Sequence, residues 1–173
     1  ADSAIDLSAL AKGYGVDAVV DWLYQQGVKN FLVEVGGELR TSGIKPDGTP
    51  WRIAIETPTI GAPQVYQVVE VRDMAVATSG NYRNYYEFQG VRYGHTLDPA
   101  TLRPVTHKLA SVTVLDISAA RADALATALM VMGDKKGLAW ARQQKQAAYF
   151  IIHTDAGLVA QTSGDFSHYI RAQ

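Results

Sequence analysis

Between Asp6 and Gly27 the apolar residues Leu10, Val16, Val19, Val20 and Leu23 recur at helical spacing. The pattern predicts a helix ending at Gly27, with Asp6 or Ser8 as its cap. Gly13 and Gly15 sit inside it, where each costs about 1 kcal/mol relative to Ala. Small residues kept at that cost imply that something approaches the helix closely. From Asn30 the period changes to two. "NFLVEVGGELRTSG" predicts strand, double glycine, strand; "KPDGTP" is a turn; "WRIAIET" alternates as a half-buried strand. "VYQVVEVRD" and "MAVATSG" predict two more strands, and "YYEFQGVRYGHTLDP" a hairpin turning near Gln89-Gly90 and then a loop. "SVTVLD" reads as a strand. Ser118 then caps a helix, "RADALATALMVMG", and a second helical stretch, "KKGLAWARQQ", follows Gly133. "AAYFIIHTDAGLVAQT" closes the pattern as strand, turn at Asp155-Ala156-Gly157, strand. Strands outnumber helices and hairpins are frequent, which predicts an α+β fold with a mainly antiparallel sheet and packed helices.

Composition narrows this picture without redirecting it. The 173 residues are 47% hydrophobic and 19% charged, ordinary for one domain with a sizeable core. Sixteen basic and seventeen acidic residues give a formal net charge of −1, and no long basic run is present, so there is no nucleic-acid footprint. With no cysteine, disulfides and thiolate metal sites are excluded. No apolar run reaches the roughly 18–20 residues of a membrane span. The chain starts at Ala1 and enters a helical pattern almost at once, as a processed or truncated chain would.

The candidate chemistry begins on the apolar helix. Asp123 and Thr127 are four residues apart and share one face of it. A buried, unpartnered carboxylate costs several kcal/mol or changes its protonation state, and a cation would remove that penalty. One carboxylate and one hydroxyl are oxygen ligands suited to Mg²⁺, which keeps sites for water or substrate phosphate. The alternatives are a solvent-facing helix face, or a threonine bonded to its own backbone. His95, in "RYGHTLDP", lies between a strand and a turn, with Asp98 near enough in sequence to orient its ring; the alternative is a loop histidine bonded to backbone. His107, His153 and His168 show no ligand-like spacing and read as structural or surface residues. Lys12, beside Gly13, either reaches an anionic substrate or extends to solvent. "VGGE" at 35–38 permits close approach of backbone to a ligand, or simply a tight turn. Neither common glycine-rich phosphate-loop motif is present.

In order, the chain carries "DLSALAKGYGVD", "VEVGGELRTSG", "PWRIAIETP", "VATSGNYRNYY", "RYGHTLDP" and "SVTVLDISAARADALATALMVMG". This series resembles the ApbE family of flavin transferases, the FAD:protein FMN transferases. The blocks span residues 6 to 133, and the later strands fit the family's end. The resemblance implies a T-fold-related α+β architecture. It covers nearly all of this chain but about the C-terminal half of a family member, so residues 1–173 are expected to form a single catalytic and metal-binding domain without the N-terminal half. It also implies that Asp123 and Thr127 bind Mg²⁺ together with the backbone of Ala9 and of Ala126. Asp6, Lys12 and Leu97 match positions that contact FAD, and His95 the catalytic histidine. Two departures stand out: Gly94 where the family often has Ser, and Leu102 where Gly is usual.

The implied reaction moves FMN from FAD to a threonine hydroxyl of a target protein and releases AMP. The implied partner is a subunit of a membrane redox complex, and the implied location is periplasmic, as a lipoprotein tethered to the inner membrane by an anchor preceding this chain. Two other readings use the same residues. One is a pyrophosphatase that hydrolyses FAD to FMN and AMP. The other is an inactive fragment that binds flavin or metal. A half-length chain is also expected to expose apolar surface that favours self-association.

Overall fold

The computed structural model describes residues 5–59, 61–81, 85–88, 91–94 and 96–171. In chain order the elements are α1 (Ala11–Gln25), β1 (Phe31–Val35), β2 (Glu38–Ser42), β3 (Trp51–Glu56), β4 (Val65–Val71), β5 (Ala75–Gly80), β6 (Tyr85–Phe88), β7 (Val91–Gly94), β8 (Leu97–Asp98), β9 (Arg103–Pro104), β10 (Leu109–Asp116), α2 (Ala119–Gln143), β11 (Ala148–Thr154) and β12 (Gly157–Ser163), followed by a 3-10 turn at Phe166–Tyr169. The expected α+β class holds. Six strands form one sheet in the order β1-β2-β5-β10-β11-β12. Every neighbouring pair in it is antiparallel.

Both faces of this sheet are covered, and strand alternation assigns its side chains to two cores. Phe31, Ala75, Ala77, Val112, Val114, Ala148 and Phe150 pack against α1 and α2, with Val16, Val20, Leu129 and Met130. Their sequence neighbours Val76, Leu115, Tyr149 and Ile151 point the other way. There they meet the β3–β4 ladder and the 3-10 turn through Ile55, Val69, Val71 and Phe166. This accounts for β10, which is buried along nearly its whole length, its polar Ser111 and Thr113 included. No described helix is long and apolar enough to cross a membrane.

Several local features depart from the sequence reading or sharpen it. The first helix begins at Ala11, and neither Asp6 nor Ser8 caps it; Leu10 occupies the cap position without a side-chain hydrogen bond. Asp6 instead accepts the amide and hydroxyl protons of Ser8 in a local turn, which precedes the helix. Gly133 divides α2 into two helical stretches that meet at a kink, where the sequence reading placed the boundary. At φ 79°, ψ −176° it breaks the register. His107 accepts the Leu109 amide at Nδ1 (3.2 Å), so Nε2 carries the ring proton and donates it to the Met130 carbonyl at 2.6 Å. His107 is thus the structural residue its spacing suggested. The β8–β9 bridge and the 3-10 turn were not foreseen, being too short for any periodicity to register. The β6–β7 hairpin was foreseen, and its proposed turn at Gln89-Gly90 lies outside the described residues.

Candidate functional site

The two helices meet at one glycine. A Cβ on Gly13 would lie 2.2 Å from the Ala119 carbonyl oxygen, so only glycine lets α1 cross the first turn of α2 at this separation. The expectation of a close neighbour is met at Gly13, whereas Gly15 has nothing within 4 Å. The approach is stabilised by Asp17, one helical turn beyond. Asp17 accepts the Ala119 and Ala120 amides at 3.0 and 3.1 Å, the Ser118 hydroxyl at 2.7 Å and the Arg40 guanidinium at 2.7 Å. It caps α2 from another element, alongside the local cap by Ser118, whose hydroxyl accepts the Arg121 amide. Burial raises the Asp17 carboxyl, but the four donors outweigh it and hold the group below its ordinary value of 3.8.

This crossing sets Asp123. The residue is 3% exposed, and its Oδ2 accepts the Gly13 amide at 3.0 Å. No protein donor meets Oδ1 among the described residues. One turn along α2, Thr127 is partly exposed, and its hydroxyl lies 3.3 Å from Ser79 Oγ on β5. Among the described residues it makes no bond to its own helix. Both side chains open onto a cavity of about 1160 Å³. Asp6, Ala9, Lys12 and Leu97 line the same cavity, as do Ser79, Glu38 and Glu56. Six of the eight site residues expected from the sequence therefore converge. Ala126, on the same helix, does not line the cavity; it is 1% exposed and packs in the core. His95 lies outside the described residues. Asp98 uses its Oδ1 to accept the Ala100 amide at 2.8 Å, which shapes the turn before β9.

Glu38 was missed by the sequence reading. It is the last residue of "VGGE", 3% exposed, and its Oε2 is 2.5 Å from Lys12 Nζ. Burial raises its carboxyl above the ordinary value; Lys12 counteracts this, and the negative charge of Asp123 adds to it. Gly36, the first of the two glycines, makes room for the pair. Gly36 has φ 60°, and a Cβ there would meet Lys12 Cδ at 3.2 Å. Lys12, its side chain 47% exposed, is thereby tethered at the cavity wall. Among the described lining residues Asp6, Glu38, Glu56 and Asp123 are acidic, and Lys12 is the only cation. A buried carboxylate and a hydroxyl one turn away are oxygen donors of the kind a hard divalent cation takes.

The fold and the site together define an α+β protein with an open cavity in which hard oxygen donors stand beside a fixed lysine. Its family follows from comparison. Residues 1–151 match the ApbE family model, and the chain belongs to that family. It is 49% identical over 166 residues to the FAD:protein FMN transferase of Vibrio cholerae, covering 96% of this chain and 50% of that protein. To the protein of the same name from Haemophilus influenzae it is 45% identical over 163 residues, covering 94% and 47%. The apo structure of the flavinyl transferase ApbE from Pseudomonas stutzeri superposes with a TM-score of 0.84 at 48% identity, over 98% of this chain and 52% of that one. An ApbE structure from Thermotoga maritima gives a TM-score of 0.84 at 32% identity, over 97% and 54%. The chain spans about half the length of the curated relatives it matches.

Proposed function

We propose that this chain carries the cation- and flavin-binding part of an FAD:protein FMN transferase, which moves FMN from FAD to a threonine hydroxyl of a target protein. The observation that carries the proposal is the convergence of Asp123, Thr127 and Lys12 on one cavity. At about 1160 Å³ the cavity has room for a ligand of dinucleotide size.

Asp123 and Thr127 would hold Mg²⁺ through their side chains, and Ala9 and Ala126 through their backbone. Bound there, Mg²⁺ would neutralise charge on the pyrophosphate oxygens. Lys12, fixed by Glu38, presents its ammonium to the anionic ligand. Asp6 and Leu97 flank the flavin dinucleotide. The target's threonine oxygen forms a bond to the FMN-side phosphorus, and the bond from that phosphorus to the bridging oxygen breaks. AMP leaves with that oxygen and the electron pair. His95 takes the hydroxyl proton, a task suited to a neutral imidazole near pH 7. The acceptor is a subunit of a membrane redox complex, and the site of action is the periplasmic face of the inner membrane; both rest on the family resemblance.

The test is incubation with FAD, Mg²⁺ and a threonine-bearing acceptor protein, following AMP release and covalent flavin fluorescence on the acceptor. Release of AMP matched by acceptor labelling is expected, and Asp123→Ala should abolish both while leaving the chain folded. AMP release that proceeds equally without an acceptor would make the activity hydrolytic. Unchanged turnover in Asp123→Ala would reject the cation assignment.

A further inference from the structure

Ser79 lies within the "VATSGNYRNYY" block but belongs to none of the proposed metal, flavin or catalytic positions. It lies on β5, paired with Val112 of β10. Strand alternation places it on the same face as Ala75 and Ala77, the face that packs against α2. There its Oγ is 3.3 Å from Thr127 Oγ1, and it lines the cavity. Either hydroxyl can be the donor.

We propose that Ser79 is a positioning residue for Thr127: it accepts the Thr127 hydroxyl proton, turns that oxygen's lone pair toward the cation, and leaves its own O–H to donate to an oxyanion of the ligand. This rests on the reading of Asp123 and Thr127 given above. The argument is one of proton accounting. A threonine hydroxyl has one proton, and when its oxygen faces a cation that proton must point away from it. The described acceptor within reach is Ser79 Oγ. Once that oxygen accepts, the serine proton must leave along another direction, and Ser79 borders the cavity in which an anionic ligand would sit. The arrangement parallels Asp123, whose Oδ2 is held by the Gly13 amide. Each side chain proposed as a ligand thus has one protein partner that orients it, and such partners commonly change metal affinity by about 10–100-fold when removed.

The experiment is titration of the chain with Mn²⁺ as a substitute for Mg²⁺, read by loss of the free-ion electron paramagnetic resonance signal. It requires no turnover. Ser79→Ala should weaken Mn²⁺ binding by roughly tenfold, Ser79→Thr should restore it, and Asp123→Ala should abolish it. Unchanged binding in Ser79→Ala, with binding lost in Asp123→Ala, would overturn the role of Ser79 and leave the cation site standing. Equal weakening in Ser79→Ala and Ser79→Thr would also overturn it, since volume and not the hydroxyl would then matter. A loss in Ser79→Ala as complete as in Asp123→Ala would make Ser79 a ligand instead. If the unaltered chain binds no Mn²⁺, or Asp123→Ala binds as well as it does, the cation reading fails and this proposal with it.

Discussion

Two glycines two residues apart on one helix should respond oppositely to the same substitution. Gly13→Ala places a methyl group 2.2 Å from the Ala119 oxygen, 2.5 Å from the Ala119 carbon and 2.7 Å from the Ala120 nitrogen. All three are backbone atoms of the first turn of α2, so no side chain can rotate away. The helices must separate. Overpacking of this kind costs about 1–3 kcal/mol. Separation also draws the Gly13 amide away from Asp123 Oδ2, a charge-assisted bond of 3.0 Å whose loss costs about 1.5–3 kcal/mol. The better helix propensity of Ala returns about 1 kcal/mol. The net expectation is destabilisation by about 1.5–5 kcal/mol, or a fall in Tm of roughly 3–20 °C for a chain of this size. Gly15→Ala meets nothing within 4 Å and keeps only the propensity gain, a stabilisation of about 0.5–1 kcal/mol. Urea denaturation of both variants beside the unaltered chain measures the difference directly. Equal stability of the two variants would refute the claim that close helix crossing, and not flexibility, is why Gly13 is glycine.

Two further outcomes follow from the same geometry. Leu102 is 78% exposed and has φ 56°, a left-handed conformation that costs a branched residue about 1–2 kcal/mol. Leu102→Gly, restoring the residue usual in the family, should stabilise the chain by about 0.5–1 kcal/mol after the extra entropy of an unfolded glycine is offset; a lower Tm in the variant would show the turn is not strained. Asp17→Asn should destabilise the chain by about 2–3 kcal/mol near neutral pH, since a charged acceptor of four donors is lost. The folded Asp17 carboxyl titrates below its ordinary 3.8, so its stabilisation is present above that pH and disappears as pH falls through the folded value. The gap between variant and unaltered chain should therefore close in acid, and a gap that stays constant in denaturation series from about pH 6 to pH 3 would contradict the capping role.

What the sequence determined by itself was the local and the repeated. The change from a period near 3.6 to a period of two marked nearly every helix and long strand, because burial on one face imposes those periods directly. The glycine at position 13, out of place in a helix, announced a close neighbour, and the spacing of Asp123 and Thr127 put them on one face before any fold was known. Motif order extended this to Asp6, Lys12 and Leu97, which do gather at one cavity. Tertiary structure alone decided who meets whom across the chain. Asp17 reads as a helix-surface acid, yet it caps a helix that begins 102 residues later. Glu38 reads as a strand acid, yet it is buried against Lys12. Ser79 reads as one polar residue in a strand, yet it meets the Thr127 hydroxyl. These partners are single residues on separate elements, brought together by sheet order and helix crossing. A polar contact of that kind leaves no periodic trace in the chain, since the one residue it requires on each side repeats nowhere.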